Sequence, residues 1–469
     1  MMAFNSFLFA ALVVLIFAAT NIAAFLKRGP TNFRVFTADP NSFGLWAITL
    51  SMSGSVVGGG MFLTMGQIGY EAGKTGYVIA AAMTLGFILA ALAVPRIRAL
   101  FEATQVNTVI DLIDIKFSPR VATVFSLLNG LMTFFMTAGQ FLGLYILCQY
   151  LGPIFTPSYL PWALAGLAVV ALLLYPIIGG LRKDVLTDMV QASITLIAVV
   201  FLAFFLFQEE AAQAIAGRNF LQDVHTPGYG LAFVIGVFLF VPGAYLIRID
   251  VWQRTRAAAS LPVAKYAMLA AAAISLLACL VFTYIGIWAK EDGVEVAGRA
   301  TLEIFMRKIH DPFLLSLVIA AFFAAVLTAA DTYINSTALF FSRLLYGGRW
   351  QGYRQKPEEH DAHLLWRTRL LGFIAALLAL ILAYVSRDLV NLAVGAFSLL
   401  LMFIPVIIGL LFPKLQSERG GFYGSIIATL VFIPLFFFWN PKLAMLPGIL
   451  LSILIYTGFL AKENLAQRG

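Results

Sequence analysis

The sequence predicts an all-α protein built into a membrane, and three observations carry that prediction. The 469 residues are 61% hydrophobic and only 12% charged, with 42 Phe, a balance that a water-exposed surface cannot accommodate. Apolar runs of about twenty residues, long enough to cross hydrocarbon as helix, recur along the whole chain with short polar breaks. The basic residues concentrate in alternate breaks, the bias that orients membrane helices.

In chain order the runs begin near residues 4, 43, 76, 121, 158, 185, 229, 262, 311, 367, 388, 421 and 442, giving about 13 transmembrane helices. The first, from about Phe4 to Leu26, has no basic residue ahead of it, exceeds the apolar core of a signal peptide and is followed by Lys27 and Arg28. It reads as a retained span with the N-terminus outside. An odd span count then places the C-terminus in the cytoplasm of a plasma membrane or cell inner membrane. Under this assignment the inside breaks hold 22 Lys and Arg, among them Arg182, Lys183, Arg254 and Arg343, and the outside breaks hold 8. The longest breaks are expected at 209–228 and 290–310 outside and at 347–366 inside, and the stretch Arg98 to Lys116 is expected along the inner interface.

The net charge of +8 is therefore an orientation signal, and no nucleic-acid partner is implied. Cys148 and Cys279 sit inside apolar runs and read as small buried hydrophobes. The four His lie in or beside polar loops with no spacing that gathers a metal. No prosthetic group and no catalytic constellation are expected, so the chain does not read as an enzyme. Oligomeric state is not legible.

Span two carries Ser51, Ser53, Gly54, Ser55 and then Gly58, Gly59 and Gly60. Glycine lets a helix unwind, and unwound backbone at membrane depth survives only inside protein or along a cavity, so this segment is a close-packing face or a binding site. Five spans later, Pro242-Gly243 marks a second expected break. Paired interruptions at matching places in two halves point to a transporter site. Residues 43–208 and 229–413 are then the two repeats of a single transmembrane transporter domain spanning 1–469, with 4–26 an extra N-terminal helix and 421–461 two C-terminal helices.

Polar groups inside spans are functional candidates because hydrocarbon penalises them. Span nine carries Thr328, Asp331 and Thr332, whose oxygens suit a hard cation such as sodium, with hydrogen bonding between helices as the alternative. Asp188 is expected to pair at the inner interface with Arg182 and Lys183. Arg248 and Asp250 lie two apart in span seven; Arg248 is expected first to snorkel to the cytoplasmic interface and second to hold an anionic substrate.

With these segments in place the chain resembles the sodium:solute symporter family, which includes bacterial proline and sugar symporters and has the LeuT-type 5+5 inverted-repeat fold. The residues that carry the likeness are Gly179-Gly180-Leu181 with Thr187-Asp188-Met189-Val190-Gln191, then Gln253-Arg254-Thr255-Arg256-Ala257-Ala258, and Ala324-Ala325 through Asn335-Ser336. The resemblance implies a main sodium site at Gly54, Val57, Ala325, Thr328 and Ala329, where Ala329 departs from the hydroxyl usual in the family. It implies a second cation or proton site at Asp188, Asp331 and Thr332, and a substrate cavity around Met61, Gln140 and Arg248.

The expected function is secondary active symport, in which sodium entry drives uptake of a small polar or anionic organic solute by alternating access. Proton-coupled or uncoupled transport on the same fold, or a transporter-like sensor acting through a separate partner, are the alternatives.

Overall fold

The computed structural model describes residues 6–25, 32–155, 157–206, 223, 226, 229–347, 357–386 and 388–466. Among them the regular structure is helical, apart from one bridge between Phe43 and Ala258. The elements are α1 (Ser6–Phe25), α2 (Phe33–Thr37), α3 (Leu45–Val56), α4 (Gly59–Ala72), α5 (Thr75–Thr104), α6 (Val109–Lys116), α7 (Pro119–Leu151), α8 (Leu160–Ile178) and α9 (Leu181–Leu206). There follow α10 (Leu231–Ile247), α11 (Ile249–Ala257), α12 (Leu261–Glu291), α13 (Ala300–Lys308), α14 (Pro312–Leu345), α15 (Pro357–Val385), α16 (Leu389–Leu401), α17 (Ile404–Leu411), α18 (Glu418–Phe438) and α19 (Met445–Ala466). Eight single helices and three bent pairs are long and apolar enough to cross a membrane; α1 and α8 occupy the two remaining apolar runs. The break expected at 290–310 carries α13, the one at 209–228 lies almost wholly outside the described residues, and the one at 347–366 is described from Pro357 on, where it forms the first turns of α15 instead of a loop.

Three long helices begin with the same local signal, a polar cap followed within two residues by proline. Ser118, Ser260 and Asp311 accept from the backbone N–H of Val121, Val263 and Leu314 and start α7, α12 and α14, satisfying donors that the first turn leaves free. Helix α14 is the axis of the molecule: 83% of its apolar window is buried, against 28% for α18 and α19, which stand at the periphery. Large apolar side chains such as Phe204, Tyr384 and Phe438 face outward, as lipid requires and water would not tolerate.

The three bends decide where function sits. At the first, 53° between α3 and α4, Val57 and Gly58 leave helical geometry, and neighbours satisfy the freed backbone groups. Tyr333 donates to the Ser55 carbonyl (2.9 Å) and the Gly60 N–H donates to Gln140 Oε1 (3.0 Å). The second bend, 49°, lies between α10 and α11, five positions beyond the expected one. Pro242 stays inside α10, and the break falls on Arg248, at φ −56° and ψ 125°. The Trp252 indole donates to the Leu246 carbonyl (2.7 Å), one of those that the break at Arg248 leaves without a helical partner. The third bend, 43° between α16 and α17, was not expected. Pro405 removes a donor there, and the Met402 carbonyl accepts from Ser452 (2.7 Å).

In the stretch Arg98 to Lys116, helix α5 runs on to Thr104, and α6, started by a Thr108–Asp111 capping box, buries Val109 through Asp114. Asp114 meets Arg343 at 3.3 Å, both buried.

Candidate cation and solute site

Helices α3, α9, α11 and α14 place their polar residues on facing sides. On α9, Asp184, Asp188 and Gln191 follow an i, i+4, i+7 spacing that puts them on one face. On α14, Thr328, Asp331, Thr332 and Asn335 do the same, and all of these side chains are buried. Thr328 donates from its hydroxyl to Gln191 Oε1 or to the Ala324 carbonyl, each 2.9 Å away. Ala325 lies just under one turn before it, and Val57 ends α3 with its N–H on the Ser53 carbonyl (2.7 Å).

Glycine is required at two points of this seam. A methyl group on Gly54 would collide with the Thr328 side chain, and one on Gly58 with Ala329. Gly54 and Thr328 are thus in contact across α3 and α14, and the methyl of Ala329 faces Gly58 where a hydroxyl would otherwise stand. Gly54→Val is expected to separate the two helices, costing about 1–3 kcal/mol in overpacking, and to lower sodium affinity in a sodium-jump uptake assay; unchanged affinity would show that the contact is incidental.

The second candidate group is larger than the sequence suggested. Asp184, Asp188 and Asp331 bring carboxylate oxygens within 4.8 Å of one another, and Arg254 lies among them. Its Nη2 donates to Asp184 (3.0 Å), Asp188 (3.1 Å) and Thr332 (2.9 Å), and its Nε to Ser51 (2.8 Å). Ser51 in turn donates to Asp188. Asp331 accepts from the Thr332 N–H (2.7 Å). Asp184 Oδ1 and Asp188 Oδ1 are buried without a partner among the described residues.

Asp188 therefore pairs with Arg254 and not with Arg182, which meets Asp39 at 3.4 Å. Arg254, counted in the sequence as a cytoplasmic loop charge, is fully buried, and Lys183 and Arg343 are buried too. A charge count cannot separate an interfacial arginine from one held in the core by carboxylates 66 and 70 positions away. Asp184 and Arg254 were missed for that reason, although the i, i+4 spacing of Asp184 and Asp188 was a usable signal.

Arg248 is corrected in the same sense. It does not snorkel: it is 1% exposed. It donates to Asp250 from Nε (2.9 Å) and Nη2 (2.5 Å), and its guanidinium lies near the Tyr245 and Tyr333 rings. Together with Met61 and Gln140 it lines one cavity of about 140 Å³ between the first two bends and α16. The walls are mostly apolar and include Met65, Met83, Met136, Phe135 and Met445. Polar groups in the same lining include Tyr245, whose buried hydroxyl has no partner among the described residues, and Gln140, whose Oε1 accepts from the Gly60 N–H.

Comparison with known proteins agrees with this architecture. No curated protein sequence matches the chain. Among solved structures, a Na+-coupled sialic acid symporter in a substrate-bound outward-open state superposes with a TM-score of 0.71 at 14% identity, covering 97% of this chain and 96% of that one. A nucleobase-cation-symport-1 family transporter in a closed conformation gives 0.53 at 14%, covering 93% and 95%. An Eremococcus coleocola manganese transporter gives 0.53 at 16%, covering 92% and 100%. These likenesses place the fold in the LeuT class. The sodium:solute symporter family matches residues 36–227 and 253–428, taking in the first bend, the α9 carboxylates, Arg254 and all of α14, and the chain belongs to that family.

Proposed function

We propose that the protein couples sodium entry to uptake of a small organic solute through the cavity beside Arg248, with residues 43–208 and 229–413 acting as the two inverted repeats. The observation that carries this reading is the contact between the bend of α3–α4 and Thr328 on α14, where a cation can join an unwound backbone to a hydroxyl. Gly54, Val57, Ala325 and Thr328 supply this site. Gln191 Oε1, 2.9 Å from the Thr328 hydroxyl, supplies the oxygen that Ala329 lacks.

Asp188, Asp331 and Thr332, with Asp184, form the second cation or proton site. Two carboxylates share one guanidinium and a third, Asp331, lies within 4.8 Å of them in a buried setting, a crowding of like charge that a bound cation or proton relieves. Sodium bound at either place favours one conformation only by its differential affinity for the two states. The solute is a small molecule with an apolar body and an acceptor head, a carboxylate or carbonyl, facing Arg248, Tyr245 and Gln140.

The test is uptake into proteoliposomes under a sodium gradient. Thr328→Ala is expected to raise the sodium concentration for half-maximal uptake roughly tenfold, about 1.4 kcal/mol, while Ala329→Ser lowers it. Sodium-driven uptake that is indifferent to Thr328→Ala would refute the main site. Uptake that follows a pH gradient and ignores sodium would move coupling to the carboxylates around Arg254.

A further inference from the structure

Every arginine so far described in the core has a carboxylate: Arg248 has Asp250, Arg254 has Asp184 and Asp188, and Arg343 has Asp114. Three others, exposed or half-buried, do not. Arg34 on α2, Arg98 on α5 and Arg256 on α11 converge on a second, polar pocket of about 180 Å³, with Asn41 and Gln105 in its wall. Among the described residues none of the three forms an ion pair. Glu102 also lines the pocket.

Arg98 and Arg256 are held in place, while Arg34 is exposed at the rim. Arg98 donates from Nη1 to the Ala258 carbonyl (2.8 Å) and from Nη2 to Asn41 Oδ1 (2.7 Å). Arg256 lies over the Phe101 ring at 4.8 Å, and its Nε is buried without a partner among the described residues. Three positive charges around one concave pocket repel one another, with Glu102 and Asp111 offsetting only part of that repulsion, and a buried donor left unpaired costs about 1–3 kcal/mol. An anion relieves both. Planar guanidiniums match the oxygens of a phosphate in particular, and basic pockets between membrane helices on the cytoplasmic side take anionic headgroups. The basic-loop count puts this end of α5 and α11 in the cytoplasm.

We propose that this pocket binds a phosphate-bearing anion, supplied either by the headgroup of an anionic phospholipid or by a free phosphate. The occupant spans a seam that the backbone already closes. The Asn41 N–H donates to the Arg256 carbonyl (3.1 Å), the Ser42 N–H to that of Ala257 (2.8 Å), and the Ala259 N–H to that of Phe43 (2.8 Å). Binding therefore ties the linker before α3 to the inner half of the second bent span, and so joins the two segments that carry the bends.

The experiment uses the full chain, purified and delipidated in detergent, with thermal melting and native mass spectrometry against phosphatidylglycerol, phosphatidylcholine and inorganic phosphate at matched ionic strength. Phosphatidylglycerol is expected to stay bound and raise Tm, with phosphatidylcholine inert. The double variant Arg34→Gln/Arg256→Gln is expected to bind at least tenfold more weakly, and Glu102→Gln, which removes the pocket's own negative charge, more tightly. A response to phosphatidylglycerol alone assigns a lipid headgroup, and an arginine-dependent response to inorganic phosphate assigns a free anion. Equal responses of wild type and the double variant to both ligands overturn the proposal. If the double variant does not fold, Glu102→Gln decides: tighter binding supports the site, and unchanged binding overturns it.

Discussion

Arg254→Gln is expected to abolish uptake and to cost about 3–5 kcal/mol of stability, because it leaves Asp184 and Asp188 buried beside Asp331 without the guanidinium the first two share. Denaturant unfolding in detergent reads the stability and proteoliposome uptake reads the function. Arg254→Gln/Asp188→Asn removes one carboxylate with the arginine and is expected to recover part of the stability and none of the uptake. Wild-type stability in the single variant would mean that the carboxylates carry no net charge in the resting protein, and the second cation site would fall.

The second large effect concerns Arg248. Asp250→Ala strands a guanidinium that is 1% exposed and is expected to cost about 3–5 kcal/mol. Replacing the whole pair, Arg248→Met/Asp250→Leu, is expected to be close to neutral for stability, since an apolar pair of similar volume avoids the desolvation penalty. Uptake is still expected to be lost, because the cavity loses its cationic donor. The two variants separate the structural from the recognition role of the pair; a double variant that transports normally would remove Arg248 from the solute site.

Much of the architecture was legible because lipid imposes simple rules. Length and hydropathy located the spans, and the Ser51–Gly60 run identified the first bend, since so many small residues have no use in a plain anchor. Thr328 stood out as a hydroxyl in the middle of an apolar run. What the sequence hid depends on partners distant in the chain. Pro242 looked like the breaking point, yet the bend falls on Arg248, where Asp250 and Ser55 hold the side chain. Arg254 sits in a polar stretch that any charge count assigns to the surface, and only the meeting of α9, α11 and α14 shows that it is interior. The bend at Met402–Phe403 went unseen because the serines that satisfy it, Ser425 and Ser452, belong to the last two helices.

Five of the thirteen methionines, Met61, Met65, Met83, Met136 and Met445, stand in the wall of the solute cavity. Unbranched thioethers are the most adaptable of apolar side chains and repack around irregular shapes at little cost. On the solute site proposed above, the cavity would be plastic along its methionine wall and rigid at the Arg248–Asp250 pair, placing selectivity in the functional group and latitude in the hydrocarbon. Oxidation of any of these sulfurs would add a polar acceptor to a wall whose polar groups are few, among them Thr64, Gln140 and Ser398.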